Sequence, residues 1–349
     1  MDIVMVGACY LDTILTQVPL PPYDTKLRAS NLEIRRGGNC ANTLEVLQQL
    51  NDVRPADASA RGANRDVPDD DPSRPDETAK NRLYLLACLP KQDSPATRQV
   101  MQSFGNGTPI SFKHCLYRAD AAEAASSYII RSSKTGSRTL VNYNALEEMT
   151  VAEFEAVARD FQAEGQSWWH FEGRIPETTL ECIRILRRIL PGSKISVEVE
   201  KPGRQGLRAL AAEADVVFYS KVWAEDRGYN SAMDCLTAEP AGQASLSVCP
   251  WGAGGAYAMS HLSGDQIHCP IEQQPDEITV VDSVGAGDTF IAGMLYGLTT
   301  GGYENTPWDA RRCVRFAVDL ATLKVQREGF AGLGHDVIQT QKRCPVTTA

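Results

Sequence analysis

The chain has 349 residues, of which 43% are apolar and 23% charged, the balance of a folded globular protein with material for a large core. Its 35 basic and 44 acidic side chains leave a net charge of −9, which argues against global attraction to nucleic acid or an anionic membrane. No apolar run approaches the roughly 20 residues of a membrane span, no basic-then-apolar leader opens the sequence, and ten cysteines without a C-x-x-C offer no zinc or redox motif. A cytoplasmic protein with reduced thiols is expected.

Met1 to Cys9 reads as a buried strand of a parallel sheet. Within Thr16 to Asn39, residues 27–34 alternate imperfectly, as an exposed or half-buried antiparallel strand does. A helix is expected after Gly37-Gly38, with Ala41, Leu44, Val46, Leu47 and Leu50 on its apolar face. Residues 51–82 hold eight acidic and six basic side chains, several prolines, no aromatic and nothing apolar larger than Val; such a segment buries too little surface to offset its ordering entropy and reads as a disordered insertion. Leu83 to Leu89 is another buried strand, and Ser127 to Ile130 and Arg138 to Tyr143 flank a hairpin signal at Lys134-Thr135-Gly136. A helix over Val151 to Gln162 follows. Then apolar runs at 168–171, 195–199, 216–219 and 245–249 alternate with helical stretches at 178–189, 206–214 and 223–236. That alternation predicts a mostly parallel sheet covered on both faces. A last strand at Ile278 to Asp282 precedes helices at 286–298 and 308–324.

The sharpest chemical feature is Val280-Val281-Asp282-Ser283-Val284-Gly285-Ala286-Gly287-Asp288. A glycine turn lets the backbone approach a ligand. A helix starting there aims unpaired N–H groups and its positive dipole end at one spot, which suits a phosphate or a phosphoryl group in flight. Asp288 beside it is either a general base or a helix cap. In Arg36-Gly37-Gly38-Asn39-Cys40-Ala41-Asn42, two amides three residues apart on one helix face offer donors and acceptors to hydroxyl groups; Asn39 could equally be a cap. Asp12, just past the first strand, lies where α/β sheets bind ligands, or is a plain loop carboxylate.

These segments resemble the ribokinase-like (PfkB) carbohydrate kinases. That family's D-T-x-G-A-G-D signature stands here as Asp282-Ser283-Val284-Gly285-Ala286-Gly287-Asp288, and its G-G-N-x-x-N as Gly37-Gly38-Asn39-Cys40-Ala41-Asn42. Within the family the ketohexokinase (hepatic-type fructokinase) branch is the most similar, through His170-Phe171-Glu172-Gly173-Arg174, Ser196-Val197-Glu198-Val199-Glu200-Lys201-Pro202 and Asp215-Val216-Val217-Phe218-Tyr219-Ser220-Lys221. Ser137-Arg138-Thr139 and Glu328-Gly329-Phe330 fit as well, and the likeness runs from about residue 2 to 336, interrupted by 51–82.

The resemblance implies a doubly wound, mostly parallel α/β domain (1–15, 37–112 and 144–340) with a small β-sheet lid (16–36 and 113–143) and a tail at 341–349. It implies ATP-dependent phosphorylation of a sugar, fructose giving fructose 1-phosphate in this branch. Asp288 is then the base and Gly285, Ala286 and Gly287 the anion hole. Asp12, Asp24, Gly38, Asn39 and Asn42 hold the sugar, Asp24 in part from a partner subunit, since lids of this family often pair two copies. Gly252 and Gly255 line the nucleotide; their loop is otherwise an ordinary turn. Glu198 and Glu200, two apart on a strand and so on one face, would face Mg²⁺ through waters, or form a surface pair with Lys201. The family's N-x-x-E is replaced by Ser220-Lys221-Val222-Trp223, which leaves the metal's acidic partner unassigned. Another sugar, a nucleoside acceptor, or a catalytically silent sensor are the rival readings.

Overall fold

Alternate residues of the first strand feed two separate cores. In the computed structural model, which describes residues 1–17, 24, 26–52, 81–132, 134, 138–161, 166–272, 278–300 and 309–343, β1 (Asp2–Val6) sends Ile3 and Met5 to one face of a sheet and Val4 and Val6 to the other. A strand buried on both faces must be apolar throughout. On one face lie α1 (Asn39–Asp52), α8 (Ala286–Thr300), α9 (Ala310–Val325) and α10 (Leu333–Arg343), contributing Leu44, Met294, Phe316 and Val337. On the other lie α3 (Val151–Asp160), α4 (Pro176–Ile189), α5 (Leu207–Glu213), α6 (Lys221–Asp226) and α7 (Ala232–Ala238). β10 (Ser167–Phe171) splits in the same way, with Trp168 in the first core and Trp169 in the second.

Among the described residues the large sheet has nine strands. β4 (Arg82–Leu86) and β6 (Ile110–Ser111) lie to one side of β1. To the other side lie β10, β11 (Lys194–Val199), β12 (Val216–Tyr219), β13 (Leu246–Pro250), β14 (Ala256–Ser260) and β15 (Gln266–Cys269). All pairings up to β13 are parallel; β14 and β15 are antiparallel. The strand order turns back at β1, so a crevice opens at its carboxyl end. This is the doubly wound α/β architecture read from the sequence.

A second sheet has the order β3 (Asn31–Gly37), β2 (Tyr10–Gln17), β8 (Ala125–Ser132), β9 (Arg138–Tyr143). It starts earlier than the expected lid: β2 leaves the large sheet after Gly7 and pairs with β3 and β8 from Tyr10 onward. Residues 113–124 lie outside it. There β7 (Leu116–Tyr117) pairs with β5 (Cys88–Leu89) in a separate two-stranded patch.

Other expectations shift. The helix expected over 223–236 is two, because the chain turns at Gly228 (φ 86°) and restarts on the Ser231 cap. No strand forms at 278–282: the Val281 and Asp282 N–H groups both donate to the Val325 carbonyl (2.8 and 3.1 Å), and Val280 and Val281 face solvent. The β14–β15 hairpin takes the sheet edge instead, and neither it nor α10 was read from the sequence. Of the expected insertion, residues 51–52 end α1 and 81–82 lead into β4; 53–80 lie outside the described residues, as do Thr135, Gly136 and 344–349. Among the described residues no helix is long and apolar enough to cross a membrane.

Phe154 of α3 is fully buried against Trp169 and Phe171. Phe154→Ala is expected to lower unfolding free energy by about 3–5 kcal/mol. Thr150→Ala, which removes the capping box of α3, should cost about 1 kcal/mol; urea midpoints of the two variants test this ranking.

Candidate active site

Two helices begin at the crevice above β1, and each start is set by a glycine. Gly38 (φ 103°) lies so close to β1's exit that a Cβ there would stand 2.2 Å from the Ala8 carbonyl oxygen. This contact seats the N-terminus of α1 on the end of the central strand. Gly285 (φ 79°) turns the chain into α8, and a Cβ there would meet the Phe330 ring at 2.4 Å. Both positions need the left-handed region and bare backbone that glycine alone supplies without strain.

The two starts are bonded to each other. Asn42 Nδ2 donates to Asp288 Oδ2 at 2.7 Å, and Thr43 Oγ1 donates to the Asp288 carbonyl at 3.2 Å. Asp288 is 8% exposed and sits in the first turn of α8, where N–H groups lack intrahelical partners. Burial, reinforced by the charges of Glu200 and Glu172, pushes its carboxyl up to about 7, while Asn42 and Arg36 pull the other way.

One turn earlier on α1, Asn39 Nδ2 donates to Glu198 Oε2 (3.1 Å) and Glu200 Oε2 (3.0 Å). Glu198 ends β11 buried, and burial followed by the charges of Asp288, Glu200 and Glu172 holds it well above the usual carboxylate range. Glu172, just past β10, accepts from the Ala8 N–H at 2.9 Å, and burial raises it too. Four carboxylates thus crowd one crevice. Among the described residues no three His, Cys, Asp or Glu side chains stand close enough to form a metal site by themselves. The donor set is all hard oxygen, though, and suits an ion held largely through water, such as Mg²⁺. Glu200 also accepts from Lys201 Nζ (2.7 Å), so that surface pairing exists as well; buried Glu198 does not share it.

Behind the Gly285 turn stands a feature the sequence reading passed over. Lys324 of α9 is fully buried. Its Nζ donates to Asp282 O (3.0 Å), Asp282 Oδ2 (3.0 Å) and Arg327 O (3.4 Å). Asp282 Oδ1 in turn accepts from the Val284 N–H at 3.0 Å. Burial works against the Asp282 carboxylate, but Val284, Lys324 and Arg35 outweigh it and hold its pKa below the usual value. The loop entering α8 is therefore bolted to the end of α9 by an ammonium group. A signal was present: Cys313, Ala317, Leu320 and Lys324 recur at helical spacing on the buried side of α9, and a lysine on such a stripe needs oxygen partners. Glu172 and Arg36 lay inside quoted motifs but were given no role, since only the tertiary structure shows what they touch.

The other sequence candidates are placed unequally. Asp12, on β2, lies against Gly37, where an added Cβ would be 2.6 Å from its Oδ2, and its charge bears on Arg36. Asp24 is exposed with φ 55° and has no hydrogen bond to the cluster among the described residues. Gly252 and Gly255 bracket a tight turn at the end of β13, closed by Trp251 N–H to Gly255 O at 2.8 Å. It forms a separate rim, and no hydrogen bond among the described residues joins it to the 285–288 turn.

A doubly wound sheet with a small second sheet at its switch point, and a glycine-led helix start holding a buried carboxylate, define a phosphate-handling α/β protein. Comparisons sharpen this. The model of the pfkB family carbohydrate kinases matches residues 113–333, and the chain belongs to that family. It is similar to mouse ketohexokinase, 29% identical over 344 residues, covering 95% of this chain and 98% of that one. Its fold matches ribokinase from Thermotoga maritima (TM-score 0.70, 14% identity, covering 98% of this chain and 99% of that one). It also matches Arabidopsis thaliana ribokinase complexed with ribose and ATP (TM-score 0.69, 15% identity, 98% of each chain). The fold is thus ribokinase-like.

Lys324→Met strips a half-buried carboxylate and two carbonyls of their buried cation. Breaking a buried pair in this way costs about 3–5 kcal/mol, to be read as a lowered urea midpoint.

Proposed function

We propose that the chain transfers the γ-phosphoryl group of ATP to a hydroxyl of a small sugar, fructose at C1 giving fructose 1-phosphate. The observation that carries this reading is Asp288: a buried carboxylate at the first turn of α8, gripped by Asn42, beside the Gly285 turn. The likeness to mouse ketohexokinase supports fructose as the acceptor, and the Arabidopsis structure with ATP supports the donor.

In this mechanism Asp288 takes the proton of the acceptor hydroxyl as its oxygen attacks phosphorus in line. A carboxyl raised to about 7 is a stronger base than an ordinary aspartate and is still half ionised at neutral pH. The N–H groups of Gly285, Ala286 and Gly287 face the migrating phosphoryl oxygens, where the helix start is already oriented for negative charge. Lys324 keeps that loop in place through Asp282. Asn39 has its carbonyl left to accept a sugar hydroxyl after its two N–H donors go to Glu198 and Glu200, and Asn42 has one N–H left. Asp12 and Gly38 complete the sugar side, and Asp24 closes over it. The 252–255 turn holds the nucleotide. Mg²⁺, held by Glu198 and Glu200 through waters, would supply positive charge to the ATP phosphates.

The small sheet acts as the lid. One of its faces carries Leu15, Leu32, Ile34, Tyr128, Val141 and Tyr143, all exposed and all on the same side by strand register. Covering that apolar face with a second copy gives a homodimer. Free thiols at the described cysteines fit a cytoplasmic enzyme.

ADP release with Mg-ATP, measured across fructose, other ketoses, ribose, aldohexoses and adenosine, should give the highest kcat/KM with fructose; preference for ribose or adenosine would sink the fructose assignment. Asp288→Asn should fold and bind ATP yet lose about 10²-fold or more in turnover, the scale of general-base catalysis; near wild-type turnover removes Asp288 from the base role. Since the base works ionised and its carboxyl lies near 7, kcat/KM should fall about tenfold per unit as pH drops below 7 and level off above it. A flat profile between pH 5 and 8 would contradict this.

A further inference from the structure

Arg36 is a charged residue buried where β3 passes into α1, only 7% exposed, and the mechanism above gives it no task. Its NH1 donates to Asn42 Oδ1 at 2.9 Å. Its NH2 pairs with Glu45, and its guanidinium lies 4.2 Å from the centroid of the Phe104 ring. Its Nε is buried without a partner among the described residues. Burying a guanidinium with one donor unmet is costly, and Glu45 alone would satisfy a mere staple between β3 and α1. The contact to Asn42 has a more specific consequence.

A guanidinium has donors and no acceptor, and an ionised carboxylate accepts only. Between them, the Asn42 amide has one admissible orientation: carbonyl to Arg36, NH₂ to Asp288. Turned over, it would set donor against donor at Arg36 and acceptor against acceptor at Asp288. The chain Arg36–Asn42–Asp288 runs through hydrogen bonds of 2.9 and 2.7 Å, and all three side chains are buried. Phe104 and Glu45 hold the guanidinium from two further directions. Glu172, Glu198 and Glu200 face Asp288 from the ends of β10 and β11, Cys40 and Asn42 from α1; the cation among these neighbours is Arg36.

We infer that Arg36 is a positioning residue for phosphoryl transfer, acting on Asp288 chiefly through the Asn42 amide, whose orientation it sets. This rests on Asp288 being the base. It differs from a stability role in its signature: chemistry suffers while nucleotide binding is spared, and the effect disappears once Asn42 is gone.

The test is steady-state kinetics on the full-length protein, wild type against Arg36→Met, Arg36→Lys, Asn42→Ala, Arg36→Met/Asn42→Ala and Glu45→Gln. Arg36→Met is expected to lower kcat about tenfold or more, the scale of a misplaced catalytic group, with the KM for ATP within about twofold, since no nucleotide contact is removed. Arg36→Lys, which keeps charge and a donor, should retain more turnover than Arg36→Met. Glu45→Gln removes the ion pair but leaves the relay and should stay near wild type. The double variant should be no slower than Asn42→Ala alone, the non-additivity of groups acting in series. Additive losses, an unchanged kcat in Arg36→Met, or a Glu45→Gln loss equal to that of Arg36→Met would each overturn the inference. If Arg36→Met does not fold, Arg36→Lys alone and in the Asn42→Ala background makes the same comparison. A wild type that phosphorylates no sugar overturns this inference together with the base assignment; an active wild type with additive losses overturns this inference alone.

Discussion

A single hydrogen bond of 2.7 Å, from the Asn42 amide to the Asp288 carboxylate, ties the start of one helix to the start of another 246 residues further along the chain. It exists only because Gly38 lets α1 settle on the Ala8 carbonyl and Gly285 lets α8 turn under the Phe330 ring. The bond forms over the carboxyl end of β1, where the strand order reverses and leaves a crevice. Glu172, Glu198 and Glu200 gather around that join.

The crevice is crowded with negative charge, in a protein already at −9. Glu172, Glu198, Glu200 and Asp288 bear on one another, and burial removes the water that would screen them. Three features make this tolerable. Amide donors from Asn39, Asn42 and the Ala8 N–H take up carboxylate oxygens. Burial and their neighbours' charges raise Glu198 well above its ordinary value and Asp288 to about 7, which weakens their tendency to ionise. Lys201 pairs with Glu200 at the edge of the cluster, while Arg36 stands behind Asn42 and Lys324 behind Asp282. Arg36 and Lys324 are each held against an intermediary that they keep still. The backbone N–H groups of a helix start keep their orientation regardless of overall charge.

The second sheet adds a different kind of constraint. Ile14 and Ile129 are buried on one side of it, and among the described residues the opposite face is apolar yet exposed. An apolar sheet face left in water is unfavourable and is stabilised by whatever covers it.

Much of this was legible from the residues. The doubly wound sheet followed from strand and helix alternation, because a strand buried on both faces must be apolar and a helix on such a sheet must be amphipathic. The Gly285–Asp288 run and the Gly38–Asn42 run were both found, since a tight turn at a helix start needs specific residue types within a few positions. What stayed hidden was of another kind. The strand expected at 278–282 is drawn off by the Val325 carbonyl, and the second sheet begins at Tyr10 because β2 finds its partners in β3 and β8; both are long-range bonds that no local pattern announces. Arg36, Glu172 and Lys324 acquire meaning only from oxygens and amides brought to them by distant segments. The sequence by itself determined the periodicities and the two glycine-bearing starts, because those are short-range demands of backbone geometry. The tertiary structure alone decided which buried charge faces which amide, because a charge in a low-dielectric interior is defined by its partners.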